Sequence, residues 1–353
     1  MIRWPARIVF TALFASAVYG QKIVSPEVHD DRRVTFRLHA PGVPDVKLWG
    51  EWILKFNTLE PMTKGDDGTW SVTIGPLKPG IYTYTFVIDH LGVPDPGNHL
   101  RAGDDGSLVE VPGGSPALYD AQAVPHGVLH LVSYEPKLRP GVRTVVIYTP
   151  AEYDKGSTSR YPVLYLLHGS GDTESSWTHV GRAQYVADNL IAERRAVPMI
   201  IVMPNGFGDH FERELLAEVM PLVESRFRAR SDAGSRAIAG LSMGGYQAQA
   251  IAFHHPEMFG SIGVFSAGAH GEAADAPVRQ FAADKRRLAN DTGLFRVVVG
   301  DQDPALKDAT RLDRLLQESG VKHMMTVVPG AGHQWVLWRQ SLGDFLPALF
   351  RAR

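Results

Sequence analysis

The segment Ala237-Ile238-Ala239-Gly240-Leu241-Ser242-Met243-Gly244-Gly245 opens as a short apolar run and stops at a glycine. It presents one serine, then passes two more glycines into a helical pattern from Tyr246 to about Phe253. An apolar run of that length reads as a strand buried on both faces of a parallel sheet. Strand, sharp turn and helix around G-x-S-x-G is the context in which a serine serves as a nucleophile. The glycines let strand and helix approach closely. Ser242 then stands at a helix N-terminus, where free N–H groups favour developing negative charge. The plainer alternative is a glycine-rich structural turn; the flanking strand and helix favour the nucleophile.

Working outward, the same alternation of apolar runs and helical patterns covers the C-terminal two thirds of the chain. Val128–Val132 and Arg143–Tyr148 read as strands at an antiparallel edge. Pro162–Leu167 and Pro198–Met203 are continuous apolar runs. A helix carrying Trp177, Val180, Ala183, Ala187, Leu190 and Ile191 lies between them, and another runs from Glu212 to about Phe227. Beyond the serine come strands at Ser261–Phe265, Phe295–Val299 and Met324–Val328. Helices follow at about Ala305–Glu318 and after Trp335. This predicts one α/β domain over 124–353, a doubly wound, mostly parallel sheet.

Residues 22–111 follow a different rule. Val34, Phe36 and Leu38 alternate with polar neighbours, as do Trp70, Val72 and Ile74, then Tyr82, Tyr84, Phe86 and Ile88. Period two, interrupted by Ala40-Pro41-Gly42, Lys64–Gly68 and Lys78-Pro79-Gly80, predicts a small all-β sandwich. Val111-Pro112-Gly113-Gly114-Ser115-Pro116 opens a linker over 112–123. The pattern resembles the immunoglobulin-like module that precedes the catalytic domain in starch-debranching enzymes and some bacterial esterases. Part of that family binds glycan, and Trp49, Trp52 and Trp70 are the residues that would stack on sugars; as core or interdomain packing they would leave a spacer. Asp89-His90-Leu91-Gly92 departs from the family's usual Asp-Gly hairpin.

The first twenty residues read as a secretory signal peptide: Arg3 and Arg7, an apolar run Ile8–Val18 too short to span a bilayer comfortably, and cleavage candidates at Ala15-Ser16-Ala17 and before Gln21. The expected location is periplasmic or extracellular, with no stable membrane span in the mature chain. The net charge is −2, becoming −4 without the leader, and no block of like charge suggests nucleic acid. With no cysteine there is no disulfide framework, thiolate chemistry or cysteine-ligated zinc.

A serine needs a base, and the base an orienting acid. Gly300-Asp301-Gln302-Asp303 and Pro329-Gly330-Ala331-Gly332-His333-Gln334-Trp335 both follow strands, where open parallel sheets place their ligands. His333 is the candidate base, and either Asp301 or Asp303 the acid. The order serine, acid, histidine is that of α/β-hydrolases. His254 and His255 end a helix and read as structural. For the oxyanion hole, the Met243 N–H is one donor; the other comes from His168-Gly169-Ser170-Gly171, with Ser170 preferred and Gly169 second. His168 reads as packing behind that loop.

Together, His168-Gly169-x-Gly171 with Trp177, Pro204-Asn205-Gly206, the Gly240–Gly245 element, Gly300-x-x-Asp303 and Gly332-His333-x-Trp335 resemble the putative-esterase family, over about residues 124–351. That resemblance implies an α/β-hydrolase fold and an acyl-enzyme mechanism without metal or organic cofactor. It also implies Asp303 as the triad acid and an ester of a small molecule or polysaccharide as substrate. With the β-module in front, the layout resembles secreted feruloyl and xylan esterases, with Trp177 and Trp335 as expected aromatic walls. A siderophore trilactone esterase and an acetyl xylan esterase use the same triad, and a glycan-binding protein on an inactive hydrolase fold is the non-enzymatic alternative. The β-module is expected to lie outside the reacting constellation, so that 124–353 alone would keep small-ester activity.

Overall fold

The computed structural model describes residues 23–55, 58–102, 106–155, 158–284 and 293–351. The leader expected at 1–20 lies outside them. Among the described residues no helix is long and apolar enough to cross a membrane.

The N-terminal β-region contains β1 (Glu27–Val28), β2 (Val34–His39), β3 (Lys47–Gly50), β4 (Glu60–Pro61), β5 (Thr63–Lys64), β6 (Thr69–Ile74), β7 (Gly80–Ile88), β8 (Leu91–Val93) and β9 (Ser107–Val111). One sheet runs β1-β2-β6-β5 and the other β4-β3-β7-β8, with β9 also paired to β7. Val34, Phe36, Leu38, Leu48, Trp70, Tyr84 and Phe86 from both sheets share one buried cluster. Alternation therefore fills a sandwich core, as period two requires. Trp70 and Trp52 belong to that packing: the Trp70 indole donates to the Ala40 carbonyl, and Trp52 stacks on Phe36. Trp49 is the one of the three that stays exposed, at 39%. The glycine-free turn at Asp89-His90 still closes a two-residue hairpin, because both residues take positive φ, 48° and 66°.

The following sheet has eight strands: β10 (Val128–Tyr134), β11 (Arg143–Thr149), β12 (Val163–Leu167), β13 (Ile200–Pro204), β14 (Arg236–Leu241), β15 (Ser261–Phe265), β16 (Phe295–Gly300) and β17 (Met324–Val328). Their order is β10-β11-β13-β12-β14-β15-β16-β17, antiparallel at β10 and β11 and parallel thereafter. Among the described residues the α-helices are α1 (Ser176–His179), α2 (Ala183–Ala192), α3 (Phe211–Glu214), α4 (Met220–Arg226), α5 (Met243–His254), α6 (Asp275–Ala283), α7 (Leu306–Glu318) and α8 (Trp335–Phe345). The single helix expected over Trp177–Ile191 is two, because Gly181 and Arg182 (φ 53°) turn the chain between α1 and α2. The helix expected from Glu212 to Phe227 carries a π-turn at Leu215–Val219, just ahead of Pro221, which has no N–H to give.

Apolar clusters cover both faces of the eight-stranded sheet. One of them extends into the β-region: Ile81 and Leu108 pack in the same cluster as Trp177, Trp335 and Trp338. The 112–123 stretch has neither helix nor strand, and the Asn189 side chain of α2 fastens it by donating to the Leu118 and Asp120 carbonyls.

Candidate active site

Ser242 sits at φ 50°, ψ −120°, between the last residue of β14 and the first of α5. Such backbone is costly for a residue with a Cβ and persists only where its surroundings fix it. They do so here: the Ser242 N–H donates to Phe265 O at 2.8 Å, and its carbonyl accepts from Gly245 and Tyr246. A Cβ at Gly240 would strike the Gly244 carbonyl, so the bend needs a glycine there.

The ends of β16 and β17 bring in the partners. His333 Nε2 lies 2.9 Å from Ser242 Oγ, and His333 Nδ1 lies 3.0 Å from Asp303 Oδ1. A carboxylate accepts only, so Nδ1 carries the proton and Nε2 is free to accept from the serine hydroxyl. Asp303 is buried and satisfied on both oxygens. Oδ1 also accepts the Ala305 N–H at 2.8 Å, and Oδ2 accepts the Ser266 hydroxyl at 2.6 Å. Burial alone would raise the Asp303 carboxyl; the hydrogen bond and charge of His333, with the Ser266 and Ala305 donors, outweigh it and hold the group below its ordinary value. Asp301 points elsewhere, accepting the Gly330 N–H at 2.8 Å, and so braces the loop before His333. The geometry joins Asp303 to His333.

Ser266 and Trp338 were not among the expected site residues. Ser266 directly follows β15 at φ 51°, wholly buried, and accepts the Trp338 indole N–H at 2.8 Å. Trp338 in turn stands edge-on to the His333 ring, 5.0 Å between centroids. A serine directly after a strand end was the available signal.

The loop expected to complete an oxyanion hole, His168–Gly171, follows β12. A Cβ on Gly169 would meet Leu241 Cδ1 at 2.6 Å and Ser242 Cβ at 3.4 Å, so the loop passes close against Ser242. The Gly169 N–H is already given to Asp172 Oδ2 at 3.2 Å, while among the described residues the Ser170 and Met243 N–H groups have no protein acceptor. That arrangement leaves Ser170 and Met243 as the free donors. His168 is buried; its Nε2 accepts the Gly206 N–H at 2.9 Å and its Nδ1 donates to Gly169 O at 2.8 Å, a neutral imidazole joining two loops. Burial lowers its affinity for a second proton. Asp172 faces the cleft, and burial pushes its carboxyl up to about 6.

Ser242, His333 and Ser170 line a cavity of about 390 Å³ together with Trp335 and Trp338. Its other wall comes from the β-region: Trp49, Glu51, Thr83 and Thr85. The β-region thus walls the cleft, while Ser242, His333, Asp303 and the Ser170 and Met243 amides all come from loops of the eight-stranded sheet. A second hollow of about 330 Å³ opens on the far side of His333, with Trp49, Ile53, Leu54 and Pro304. A larger one, about 490 Å³, sits at the opposite end of the sheet against Ser261 and Phe295, and none of these residues reaches it. The expectation of Trp177 as an aromatic wall is corrected. It is fully buried, its N–H donates to Leu167 O at 2.9 Å, and it packs edge-on against Trp335, which leaves it no surface for a ligand.

The chain and its fold are similar to known proteins. The family described as putative esterase matches residues 140–349. An endo-1,4-beta-xylanase/feruloyl esterase of Xylanibacter ruminicola is 30% identical over 347 residues, covering 92% of this chain and 46% of that protein. A solved ferulic acid esterase is 27% identical with a TM-score of 0.57, over 63% of this chain and 97% of its own. The enterobactin esterase of Shigella flexneri is 16% identical, with a TM-score of 0.65 over 89% of this chain and 92% of its own, and shares the fold. The chain spans about half the length, or less, of the curated relatives it matches.

Proposed function

The chain belongs to the putative-esterase family, and within it we propose a secreted serine carboxylesterase that hydrolyses feruloyl-type esters on plant-cell-wall polysaccharides. The observation that carries the esterase reading is the unbroken hydrogen-bonded line from Ser242 through His333 to Asp303, opening into an aromatic cleft.

In this reading His333 takes the Ser242 proton as Oγ attacks the ester carbonyl. Asp303 holds the imidazole in the required tautomer and stabilises its charged form. The Ser170 and Met243 N–H groups receive the oxyanion. His333 returns the proton to the departing alcohol, then activates the water that hydrolyses the acyl-enzyme. These steps use only side chains and amides of this chain.

The acyl group rests on different grounds. A cleft of about 390 Å³ walled by Trp49, Trp335 and Trp338 has the size and apolar character that suit a cinnamoyl ring. The relatives named as feruloyl or ferulic acid esterases point the same way. The test compares kcat/KM for methyl ferulate, acetylated xylan and ferric enterobactin with one preparation. Methyl ferulate in first place is expected. Acetylated xylan first would make this a xylan deacetylase, and enterobactin first would make it a siderophore esterase. Ser242→Ala should abolish burst release of p-nitrophenol from a short-chain ester; a retained burst would overturn the nucleophile.

A further inference from the structure

We propose that Glu51, a residue of the N-terminal β-region, is a positioning residue for the reaction at Ser242: its carboxylate caps the helix behind His333 and holds the base in line. The inference rests on the esterase reading above.

Glu51 follows β3 and is buried, 6% exposed. Oε1 accepts the Trp335 N–H at 2.8 Å and Oε2 accepts the Thr83 N–H at 2.7 Å. Trp335 is the first residue of α8 and lies two positions after His333. The first N–H groups of a helix have no partner within it. Gln334, in the cap position, is extended (φ −153°, ψ 154°), and its side chain makes no cap bond. Glu51 supplies the missing acceptor from across the chain, and its negative charge suits the positive end of the helix. One carboxylate thus ties β7, through Thr83, to the backbone that leaves the catalytic histidine.

Other contacts act on the same loop. A Cβ on Gly332 would meet Leu54 Cδ2 at 2.9 Å, so the residue before His333 lies flat against the β-region. Val336, three residues after His333, is partly buried and packs against the core of the sandwich. One turn further along α8, buried Arg339 donates to Ile81 O at 2.6 Å and to Val180 O at 2.9 Å. His333 is therefore flanked on both sides by residues seated on the β-region. Glu51 is the polar member of that seat, and burial, opposed by the Trp335 and Thr83 amides and by the Arg339 charge, pushes its carboxyl above the ordinary range.

The test uses the full chain and p-nitrophenyl acetate, a substrate too small to need the distant walls of the cleft. Glu51→Ala should lower kcat by about 10- to 100-fold, as small misplacements of a catalytic group do, with KM within about 3-fold. It should slow covalent labelling of Ser242 by a fluorophosphonate by a similar factor, at temperatures well below the melting point. Glu51→Gln keeps an acceptor for one amide and turns a donor toward the other, so its kcat should fall between wild type and Ala. Glu110→Ala is the control: Glu110 of β9 pairs with Arg182 ahead of α2, another tie across the same seam that does not touch the His333 loop, and kcat should not change. A Glu51→Ala protein with wild-type kcat and labelling rate would overturn the proposal. If that variant does not fold, an unaltered Glu51→Gln would do the same. Activity surviving Ser242→Ala would instead remove the esterase reading beneath it.

Discussion

The Ser266 hydroxyl donates to Asp303 Oδ2 at 2.6 Å while its oxygen accepts the Trp338 N–H, so the residue directly after β15 holds the acid of the proposed triad by the carboxylate oxygen that His333 does not bind. Hydrogen bonds to a buried carboxylate are among the stronger ones, worth about 1.5–3 kcal/mol. Ser266→Ala removes one and leaves the Trp338 N–H without its acceptor. We expect a stability loss of about 2 kcal/mol at pH 7, read by thermal melting. The sign with pH follows. Asp303 is held below its unfolded value, so its contribution is present above about pH 4 and fades as pH falls further. In Ser266→Ala the carboxyl should titrate higher, and acid unfolding should begin at a higher pH than in wild type. Coincident acid transitions would refute this.

Asp303→Asn should lower kcat by about 10³- to 10⁴-fold, because the amide would favour the wrong imidazole tautomer. Asp301→Asn should cost little, since its carboxylate braces Gly330 and leaves His333 untouched. Steady-state kinetics on a small ester rank the two, and the reverse order would transfer the acid role to Asp301.

Much of this site was legible because α/β sheets deliver functional side chains from the loops after strands, and those loops carry local signatures. Ser242, Asp303 and His333 each follow an apolar run. What the sequence left open was direction. Asp301 and Asp303 differ only in where the chain turns, and Ala305, whose N–H the second one binds, decides that turn. The two tryptophans came out differently. Both rings are buried, but Trp335 borders the cleft, whereas the Leu167 carbonyl takes up the Trp177 N–H and holds that ring behind it. Glu51 was invisible because its partner amide lies 284 residues away, and no local pattern announces a cap arriving from another sheet.

Asp172 makes a prediction about pH. Its carboxyl is raised to about 6, chiefly by burial, against the Gly169 N–H that favours the charge. The folded protein therefore binds this proton more tightly than the unfolded chain, whose value is about 3.9. Between about pH 4 and 6 the term costs stability as pH rises, and above 6 the cost is constant. Asp172→Asn removes the titration. The difference in Tm, wild type minus Asp172→Asn, should be most favourable to wild type near pH 4 and decline to a plateau above pH 6. About 1 kcal/mol would appear as roughly 2–4 °C. A difference that stays flat from pH 4 to 7 would mean that Asp172 titrates normally.

The last prediction separates the wall of the cleft from the core behind it. Trp49 is 39% exposed and borders both hollows beside His333, whereas Trp177 has no exposed surface. Removing an indole from a wall takes away contact area with the ligand; removing one from the core leaves a cavity. Trp49→Ala should therefore raise KM for feruloylated arabinoxylan oligosaccharides by about 10-fold, the scale of roughly 1.4 kcal/mol of lost contact. Its Tm should stay near wild type, and kcat on p-nitrophenyl acetate should be nearly unchanged. Trp177→Ala should lose about 3–5 kcal/mol of stability. Trp177→Phe, which keeps most of the ring volume, should retain the wild-type KM. Melting curves and paired kinetics on the two substrates decide it. If Trp49→Ala binds the oligosaccharide as wild type does, the sugar passes the β-region by another route, and Trp49 is only a rim residue.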